Sequence, residues 1–200
     1  MENAVVQKEA LVDVIRFLHA QGWAPATSSN YSFRMPSEAN FYISESGIDK
    51  GAFAIENFLY VTASGQPIDD ARRPSAETGL HSIIYALYPE VHCVLHTHSV
   101  PGTVLSRQLL SQGALFLSDY EILKGFSGVS THEVVIKIPI FANTQDIPAL
   151  AAAVQHYAQA EEMRAFLIAG HGMYTWGSTI AEAKRHVEVV EFLLACERRG

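Results

Sequence analysis

The order of the apolar patterns along the chain constrains the fold more than any other feature. Three short strand-like runs, residues 31–35, 41–44 and 58–61, follow one another early in the chain, with Gly, Pro, Asn and Ser between them. Neighbouring parallel strands need long, usually helical, connections, and no helical pattern lies between these runs. The first third of the chain is therefore predicted to form an antiparallel meander.

Amphipathic helices alternate with short strands through the rest of the chain. Apolar residues at three-four spacing predict helices at 8–21, from Pro74 to Pro89, and at 101–112, 147–161 and 179–197. Apolar runs predict strands at 91–96, 134–138, 165–168 and 173–176. This order predicts an α/β fold, a three-layer α/β/α domain with a central mixed, mainly antiparallel sheet. A chain of 200 residues with 48% hydrophobic content fits a single domain, residues 1–200.

The composition argues against several classes of partner. The formal net charge is -7 with nine histidines counted as neutral, whereas nucleic-acid binding normally requires a basic face. No apolar stretch approaches the roughly 20 residues needed to cross a bilayer, and the N-terminal residues lack the pattern of a signal peptide. We therefore expect a cytoplasmic protein that binds neither nucleic acid nor membrane. Cys93 and Cys196 are the two cysteines, and a disulfide between them is not expected.

The most informative motif is His96-Thr97-His98, at the end of a predicted strand. Residues two apart on an extended chain project to the same side, so the two imidazoles can face one metal ion. Alone, the motif is a weak signal, because two hydrogen-bonded histidines at a strand terminus would give the same pattern. A third ligand is needed to strengthen the metal hypothesis.

His171 is the candidate third ligand. It lies between Gly170 and Gly172, and glycines let a backbone turn sharply and approach a ligand closely. A histidine in a β-hairpin turn is an equally acceptable interpretation of this spacing. Three imidazoles with an open fourth position are typical of catalytic zinc, although iron, cobalt and nickel also accept such ligands.

Two glutamates are candidates for acid/base chemistry beside such a metal. Glu77 begins the helix before the His96 strand, where an acidic residue also interacts favourably with the helix dipole. Glu121 lies in a segment of mixed polarity, where a surface ion pair with Lys124 is the alternative. The residues alone do not decide between the two.

Three corners rich in hydroxyl groups could bind a phosphate through backbone N–H groups and side chains. These corners are Thr27-Ser28-Ser29-Asn30, Ser44-Glu45-Ser46-Gly47 and Pro74-Ser75. Ordinary turns and a helix N-cap at Ser75 explain them equally well. Lys50 is a candidate local cation.

Several motifs in register resemble the class II aldolase/adducin superfamily over nearly the whole chain. They are Pro25-Ala26-Thr27-Ser28-Ser29-Asn30-Tyr31-Ser32, Pro74-Ser75-Ala76-Glu77, His96-Thr97-His98-Ser99, Tyr120-Glu121-Ile122-Leu123-Lys124-Gly125, Pro139-Ile140-Phe141-Ala142-Asn143 and Gly170-His171-Gly172-Met173-Tyr174-Thr175-Trp176-Gly177. Within the superfamily, the chain is most similar to members that eliminate water from a small sugar phosphate. That resemblance implies a class II aldolase-like fold and a hydro-lyase activity.

The resemblance also implies roles for individual residues. His96, His98 and His171 would hold one Zn2+ per subunit, and Glu121 would be the catalytic acid/base. Sugar-phosphate aldolases and epimerases of the superfamily use a glutamate at the position of Glu77 instead, so an aldolase or epimerase is the alternative activity. A non-catalytic adducin-like interaction domain is a further alternative.

Phosphate contacts are implied near Asn30, Ser46, Gly47 and Ser75. Many relatives have Gly where this chain has Ser29, which bears on how that loop binds phosphate. Relatives of this type form homotetramers with sites at subunit interfaces, so the resemblance implies a homo-oligomer.

Overall fold

An eight-stranded sheet forms the centre of the structure, a computed structural model that describes residues 4–68 and 71–198. The strand order is β3-β2-β1-β4-β8-β7-β6-β5. All neighbouring strands are antiparallel except β6 and β7, which are parallel. The predicted mixed, mainly antiparallel sheet is therefore confirmed. The strands are β1 (Asn30–Phe33), β2 (Phe41–Ser44), β3 (Phe58–Val61), β4 (Cys93–Thr97), β5 (Ala114–Leu117), β6 (Ile136–Phe141), β7 (Ala165–Ile168) and β8 (Gly172–Gly177).

In the described part of the chain, five helices cover the two faces of this sheet: α1 (Ala4–Ala20), α2 (Thr78–Leu87), α3 (Val100–Gln108), α4 (Ile147–Ala160) and α5 (Ile180–Glu197). Apolar residues of α1, α3 and α5 share one hydrophobic cluster, and those of α2 and α4 share another. Successive strand residues point to opposite faces, so Cys93 and Leu95 of β4 join the first cluster and Val94 joins the second. The three-layer architecture is confirmed. Among the described residues, no helix is long and apolar enough to span a membrane.

Several sequence predictions need correction. The strand predicted at 134–138 is Ile136–Phe141, and the helix predicted at 101–112 is α3 followed by a 3-10 turn, Leu110–Gln112. The second helix begins at Thr78 and not at Pro74, because Pro74 forms an isolated bridge with Glu45 and residues 75–77 make a turn. The sequence interpretation also missed β5, whose four residues, Ala-Leu-Phe-Leu, favour a helix as readily as a strand. Pairing with β6 makes β5 a strand, with Leu115 opposite Ile138.

The sheet order places three distant polar residues side by side. Asn30 of β1 lies opposite His96 of β4, which in turn lies opposite Tyr174 of β8. Gly172 at the start of β8 permits this close approach, because a Cβ atom there would lie 2.1 Å from the Thr97 carbonyl oxygen. The His96-Thr97-His98 segment and the β7–β8 turn are thereby brought together.

Candidate metal centre

Three imidazoles converge where β4 ends and β7 turns into β8. Each of His96, His98 and His171 offers a ring nitrogen, and these three atoms all lie within 4.8 Å of one another. The Nε2 atoms of His96 and His98 are 2.7 Å apart. The sequence motif and the glycine-flanked histidine are therefore neighbours in space, and His171 lies in a hairpin turn as well as in the cluster.

His96 is the most rigidly held of the three. It is fully buried, its Nδ1 atom lies 2.9 Å from the Met173 carbonyl oxygen, and its ring stacks on Tyr174 at a centroid distance of 4.1 Å. A carbonyl oxygen only accepts hydrogen bonds, so Nδ1 carries the proton of the neutral ring. The Nε2 lone pair consequently faces the cluster, as metal ligation requires.

The other two histidines are held through their backbones. The His98 amide donates to the Trp23 carbonyl oxygen at 2.8 Å, and the His171 amide donates to Ile168 at 3.0 Å. Thr103 Oγ1 of α3 donates to the His171 carbonyl oxygen at 2.9 Å. Loop, helix and hairpin thus meet at the cluster.

The surroundings keep His96 and His98 neutral, which is the form that binds metal. Burial lowers the pKa of His96 well below its usual value and lowers the pKa of His98 to about 4, with the neighbouring imidazoles acting in the same direction. Three imidazoles beside a cavity match the donor set of catalytic zinc sites. The residues present therefore fit a divalent metal ion.

Glu77 lies directly against this cluster. Its Oε1 atom is 3.1 Å from His171 Nε2, and its Oε2 atom is 3.3 Å from His96 Nε2. Asn30 Nδ2 and the Tyr174 hydroxyl donate to Oε2 at 2.8 and 2.7 Å. Although Glu77 is the N-cap residue of α2, its side chain makes no capping hydrogen bond. The carboxylate contacts the cluster and does not cap its own helix.

A buried chain of hydrogen bonds supports Glu77 from behind. Ser32 Oγ lies 2.7 Å from Nδ1 of His81, and Nε2 of His81 lies 2.5 Å from Asn30 Oδ1. Since Asn30 Oδ1 only accepts, His81 donates to Asn30 and accepts from Ser32. Burial lowers the pKa of His81 to about 3, so the ring is neutral. Sequence reasoning missed this chain, although the four-residue spacing of Glu77 and His81 on α2 is a usable signal.

Glu121 has different surroundings. It begins a 3-10 turn, Glu121–Gly125, and its side chain is 73% exposed. Its carboxylate accepts a hydrogen bond from Lys124 Nζ at 2.5 Å and lies 3.7 Å from His132 Nδ1. The Lys124 hydrogen bond lowers the pKa of the carboxyl. Within one chain, Glu77 contacts the histidines, whereas the described contacts of Glu121 are at the surface.

Two of the four candidate phosphate residues contact Glu77. Asn30 bonds to Glu77, and Ser75 Oγ accepts from the Glu77 amide at 3.3 Å. The Ser46 amide donates to Arg73 at 3.0 Å, and Gly47 has a positive φ of 79°. Sequence analysis predicts phosphate contacts at these four positions, and the structure brings Asn30 and Ser75 next to Glu77.

Lys50 connects the first hydroxyl-rich corner to Ile48, the residue that follows the second corner. Its Nζ donates to the carbonyl oxygens of Thr27 and Ile48 at 3.3 and 2.8 Å. The side chain is buried, and burial lowers its pKa to about 8. Lys50 is therefore a buried cation and not a solvated surface lysine.

A cavity of about 490 Å³ opens beside His98 and His171. Its remaining lining combines apolar and polar side chains, from Pro25, Val100, Thr103, Val104, Asn143 and Gln145. Such a mixture suits a small ligand that has both an apolar and a polar part.

The sequence also matches a known protein family. Residues 9–197 match the family model described as Class II Aldolase and Adducin N-terminal domain. The chain belongs to the class II aldolase/adducin family. The resemblance inferred from the motifs is confirmed.

Relatives within this family share most of the chain. Methylthioribulose-1-phosphate dehydratase from Enterobacter sp. (strain 638) is 48% identical over 195 residues, which cover 97% of this chain and 95% of the relative. The protein of the same name from Marinobacter nauticus is 49% identical, covering 94% of this chain and 91% of the relative. The one from Picosynechococcus sp. is 47% identical, covering 98% and 93%.

Solved structures of the family have the same fold. An L-fuculose 1-phosphate aldolase superposes with a TM-score of 0.79 at 20% identity, covering 98% of this chain and 86% of the other. The L-fuculose-1-phosphate aldolase from Thermus thermophilus has a TM-score of 0.75 at 24% identity, covering 96% and 93%. At this level of identity, the likeness concerns the class II aldolase-like fold alone.

Proposed function

We propose that this protein is a hydro-lyase that dehydrates 5-methylthioribulose 1-phosphate to 2,3-diketo-5-methylthiopentyl 1-phosphate, a step of methionine salvage. One observation carries the proposal: relatives named methylthioribulose-1-phosphate dehydratase are 47–49% identical over nearly the whole chain. The convergence of His96, His98 and His171 supports it, because the chain keeps a complete candidate ligand set.

The proposed metal is one Zn2+ per subunit, held by these three histidines. Their ring nitrogens provide the ligands, and the adjoining cavity gives a substrate access to an open position. When bound, the ion supplies Lewis-acid stabilisation of the negative charge that develops on the substrate oxygens.

Glu121 is the proposed acid/base. Its carboxylate takes the proton from C3, and the C4 hydroxyl then leaves as water, with a proton donated by the same carboxylic acid. The C3–C4 double bond formed in this way belongs to an enol, which tautomerises to the 2,3-diketone. Substrate thus loses one molecule of water and no redox partner is needed.

The exposed position of Glu121 leads to a proposal about assembly. Glu121 follows β5, an edge strand of the sheet, and both Phe116 of β5 and Val135, just before the neighbouring strand β6, are large exposed apolar side chains. An uncovered edge with apolar side chains favours association with another chain. We propose a homotetramer in which Glu121 of one subunit serves the histidines of a neighbouring subunit.

The two ends of the substrate need different surroundings. We propose that the phosphate binds near Asn30, Ser46, Gly47 and Ser75, with Lys50 as the nearby buried cation. The apolar wall of the cavity, formed by Pro25, Val100 and Val104, suits the methylthio end. The free thiols of Cys93 and Cys196 fit a cytoplasmic location.

A sugar-phosphate aldolase or epimerase is the second candidate. The observation that favours it is the direct contact of Glu77 with His96 and His171, because a carboxylate beside the metal can itself move a proton. A non-catalytic adducin-like domain is less well supported, because it would not need a complete set of ligands.

The products distinguish these activities. Purified protein incubated with 5-methylthioribulose 1-phosphate should produce the diketone, followed by its ultraviolet absorbance. Dihydroxyacetone phosphate released from a ketose 1-phosphate, without diketone from the methylthio substrate, would replace the dehydratase with an aldolase. Absence of both reactions and of bound metal would favour the interaction domain.

A further inference from the structure

Glu191 is a carboxylate in the interior of the protein, on the face of α5 that packs against the sheet. The residue is only 2% exposed, and its neighbours Val187, Val190 and Leu194 belong to the hydrophobic core. Burial raises the pKa of this carboxyl to about 7. Burying a carboxyl group costs free energy unless it is hydrogen-bonded, so its contacts point to its role.

The hydrogen bond of this carboxyl group reaches the residue before His98. Glu191 Oε1 accepts a hydrogen bond of 2.6 Å from Thr97 Oγ1, and Thr97 is itself fully buried. The other oxygen, Oε2, is buried and has no hydrogen-bond partner among the described residues. The residue after His98, Ser99, is the N-cap of α3, and its Oγ accepts from the Gly102 amide. Glu191 therefore holds the residue before His98, and the helix cap holds the residue after it.

His98 depends on this support more than His96 does. The pairing of β4 with β8 ends at Thr97, so His98 lies just outside the sheet. The ring of His96 is fixed by a hydrogen bond to the Met173 carbonyl oxygen. For the ring of His98, the hydrogen bond among the described residues is between its Nε2 atom and Nε2 of His96, another member of the cluster. The direction of the His98 side chain is consequently set by the backbone at residues 97 and 99.

We propose that Glu191 is a positioning residue of the metal centre, which holds Thr97 at the end of β4 and so aims His98 at His96 and His171. Glu191 acts through Thr97 and touches neither metal nor substrate. This inference rests on the metal site of the proposed function. Groups that orient metal ligands without binding the metal commonly change metal affinity by about 10–100-fold.

Two substitutions test the hydrogen bond from its two ends. Glu191→Leu removes the acceptor, and Thr97→Val removes the donor with little change in shape. We expect each to weaken zinc binding by roughly 10-fold or more. Glu191→Gln keeps an acceptor oxygen and should retain zinc affinity within about threefold. Because Glu191→Leu and Thr97→Val break the same hydrogen bond, the double variant should lose less affinity than the sum of the two.

The measurements separate positioning from general stability. Zinc affinity is obtained by competition with a chromophoric chelator, the geometry of the site from the visible spectrum of the cobalt-substituted protein, and stability from thermal unfolding of the metal-free protein. Val190→Ala is the matched control, because Val190 is a buried residue of the same helix. It should lower the unfolding temperature through lost packing and leave the zinc affinity and cobalt spectrum unchanged.

Weakened zinc binding with an altered cobalt spectrum in Glu191→Leu and Thr97→Val, together with rescue by Glu191→Gln, would support the inference. Wild-type affinity and spectrum in both variants would overturn it. If Glu191→Leu does not fold, Thr97→Val decides between these outcomes alone. Wild-type protein that binds no zinc would refute the proposed metal site and this inference together. That result differs from the case in which wild-type protein binds zinc and the variants bind it equally well, which refutes this inference alone.

Discussion

The phenolic oxygen of Tyr174 lies 2.7 Å from Oε2 of Glu77 and fixes that carboxylate against the candidate metal centre. The two residues are 97 positions apart in the sequence. They meet because β8 lies beside β4, which places Tyr174 opposite His96. The Asn30 amide on the other side of β4 gives the second hydrogen bond to the same oxygen. The position of Glu77 is thus determined by the sheet and not by its own helix.

Tyr174→Phe removes one of these two donors and should lower turnover roughly 10- to 150-fold. A hydrogen bond to a charged group contributes about 1.5–3 kcal/mol, and about 1.4 kcal/mol corresponds to a factor of ten in rate. Steady-state kinetics at saturating zinc measures the effect. Tyr60→Phe is the matched control, since its hydroxyl donates to Glu38 Oε2 at 2.9 Å on the outer strand β3. Equal losses in the two variants would contradict a role of Tyr174 in holding Glu77.

Glu121→Gln should abolish dehydration without affecting zinc content, because the side chain is exposed and its loss leaves the histidines unchanged. If Glu121 serves a neighbouring subunit, activity should reappear when Glu121→Gln and His98→Ala proteins are dissociated, mixed and reassembled. A mixed interface then combines intact histidines from one chain with an intact Glu121 from the other. Turnover before and after mixing is the measurement.

The control for this mixing experiment uses Glu77. Its carboxylate contacts histidines of its own chain, so Glu77→Gln and His98→Ala damage the same site. If each single variant is inactive, the mixture of the two should remain inactive, because every site then lacks either Glu77 or His98. Full activity of unmixed Glu121→Gln, with loss only in Glu77→Gln, would transfer the acid/base role to Glu77.

His81 should make stability depend on pH in the weakly acidic range. Its folded pKa of about 3 lies below the ordinary value of 6.5, so below pH 6.5 the unfolded state takes up a proton that the folded state does not. The stabilising contribution of the neutral His81 ring is fully present above pH 6.5 and is lost as the pH falls toward 3. The loss from this one residue is about 1.4 kcal/mol per pH unit.

Urea unfolding of metal-free protein at several pH values between 7.5 and 4.5 measures that slope. Glu191, whose pKa is raised to about 7, acts in the opposite direction, so the comparison must be made with a variant and not with an absolute curve. His81→Gln removes the titrating ring and should reduce the slope by about 1.4 kcal/mol per pH unit. An unchanged slope would contradict this account, because it would mean that His81 takes up its proton at the same pH in the folded and unfolded protein.

Ser29 has a left-handed backbone with φ of 71°. A Cβ atom in this conformation costs about 1–2 kcal/mol. Ser29→Gly should therefore unfold at a higher urea concentration than Ser29→Ala, because both lack the hydroxyl and only alanine keeps the Cβ atom. A stability difference near zero would mean that the loop accommodates the side chain without strain.

Local patterns were sufficient to predict much of the fold. The strands at 41–44, 58–61 and 165–168 were predicted at their observed bounds, since alternating or apolar runs flanked by turn residues leave few other solutions. β5 was missed because its strand character comes from pairing with β6, a contact between residues distant in sequence. Strand order also depends on contacts between distant residues, so local patterns do not predict it.

The candidate site was predictable to a similar degree. His96 and His98 share a side of an extended chain, and the motif itself indicated this. The contacts of Glu77 with Asn30 and Tyr174 depend on the β1-β4-β8 order, which no local pattern contains. Glu191 did leave a signal, because a charged residue four positions after Val187 interrupts an otherwise apolar helix face.

Zinc titration of chelator-treated protein, with diketone formation from 5-methylthioribulose 1-phosphate followed at each addition, tests the central claim most directly. We predict no turnover without metal and a linear rise that ends at one zinc ion per chain, with no rise in His98→Ala. Full turnover of the metal-free protein, or stoichiometric zinc binding without diketone formation, would contradict the account.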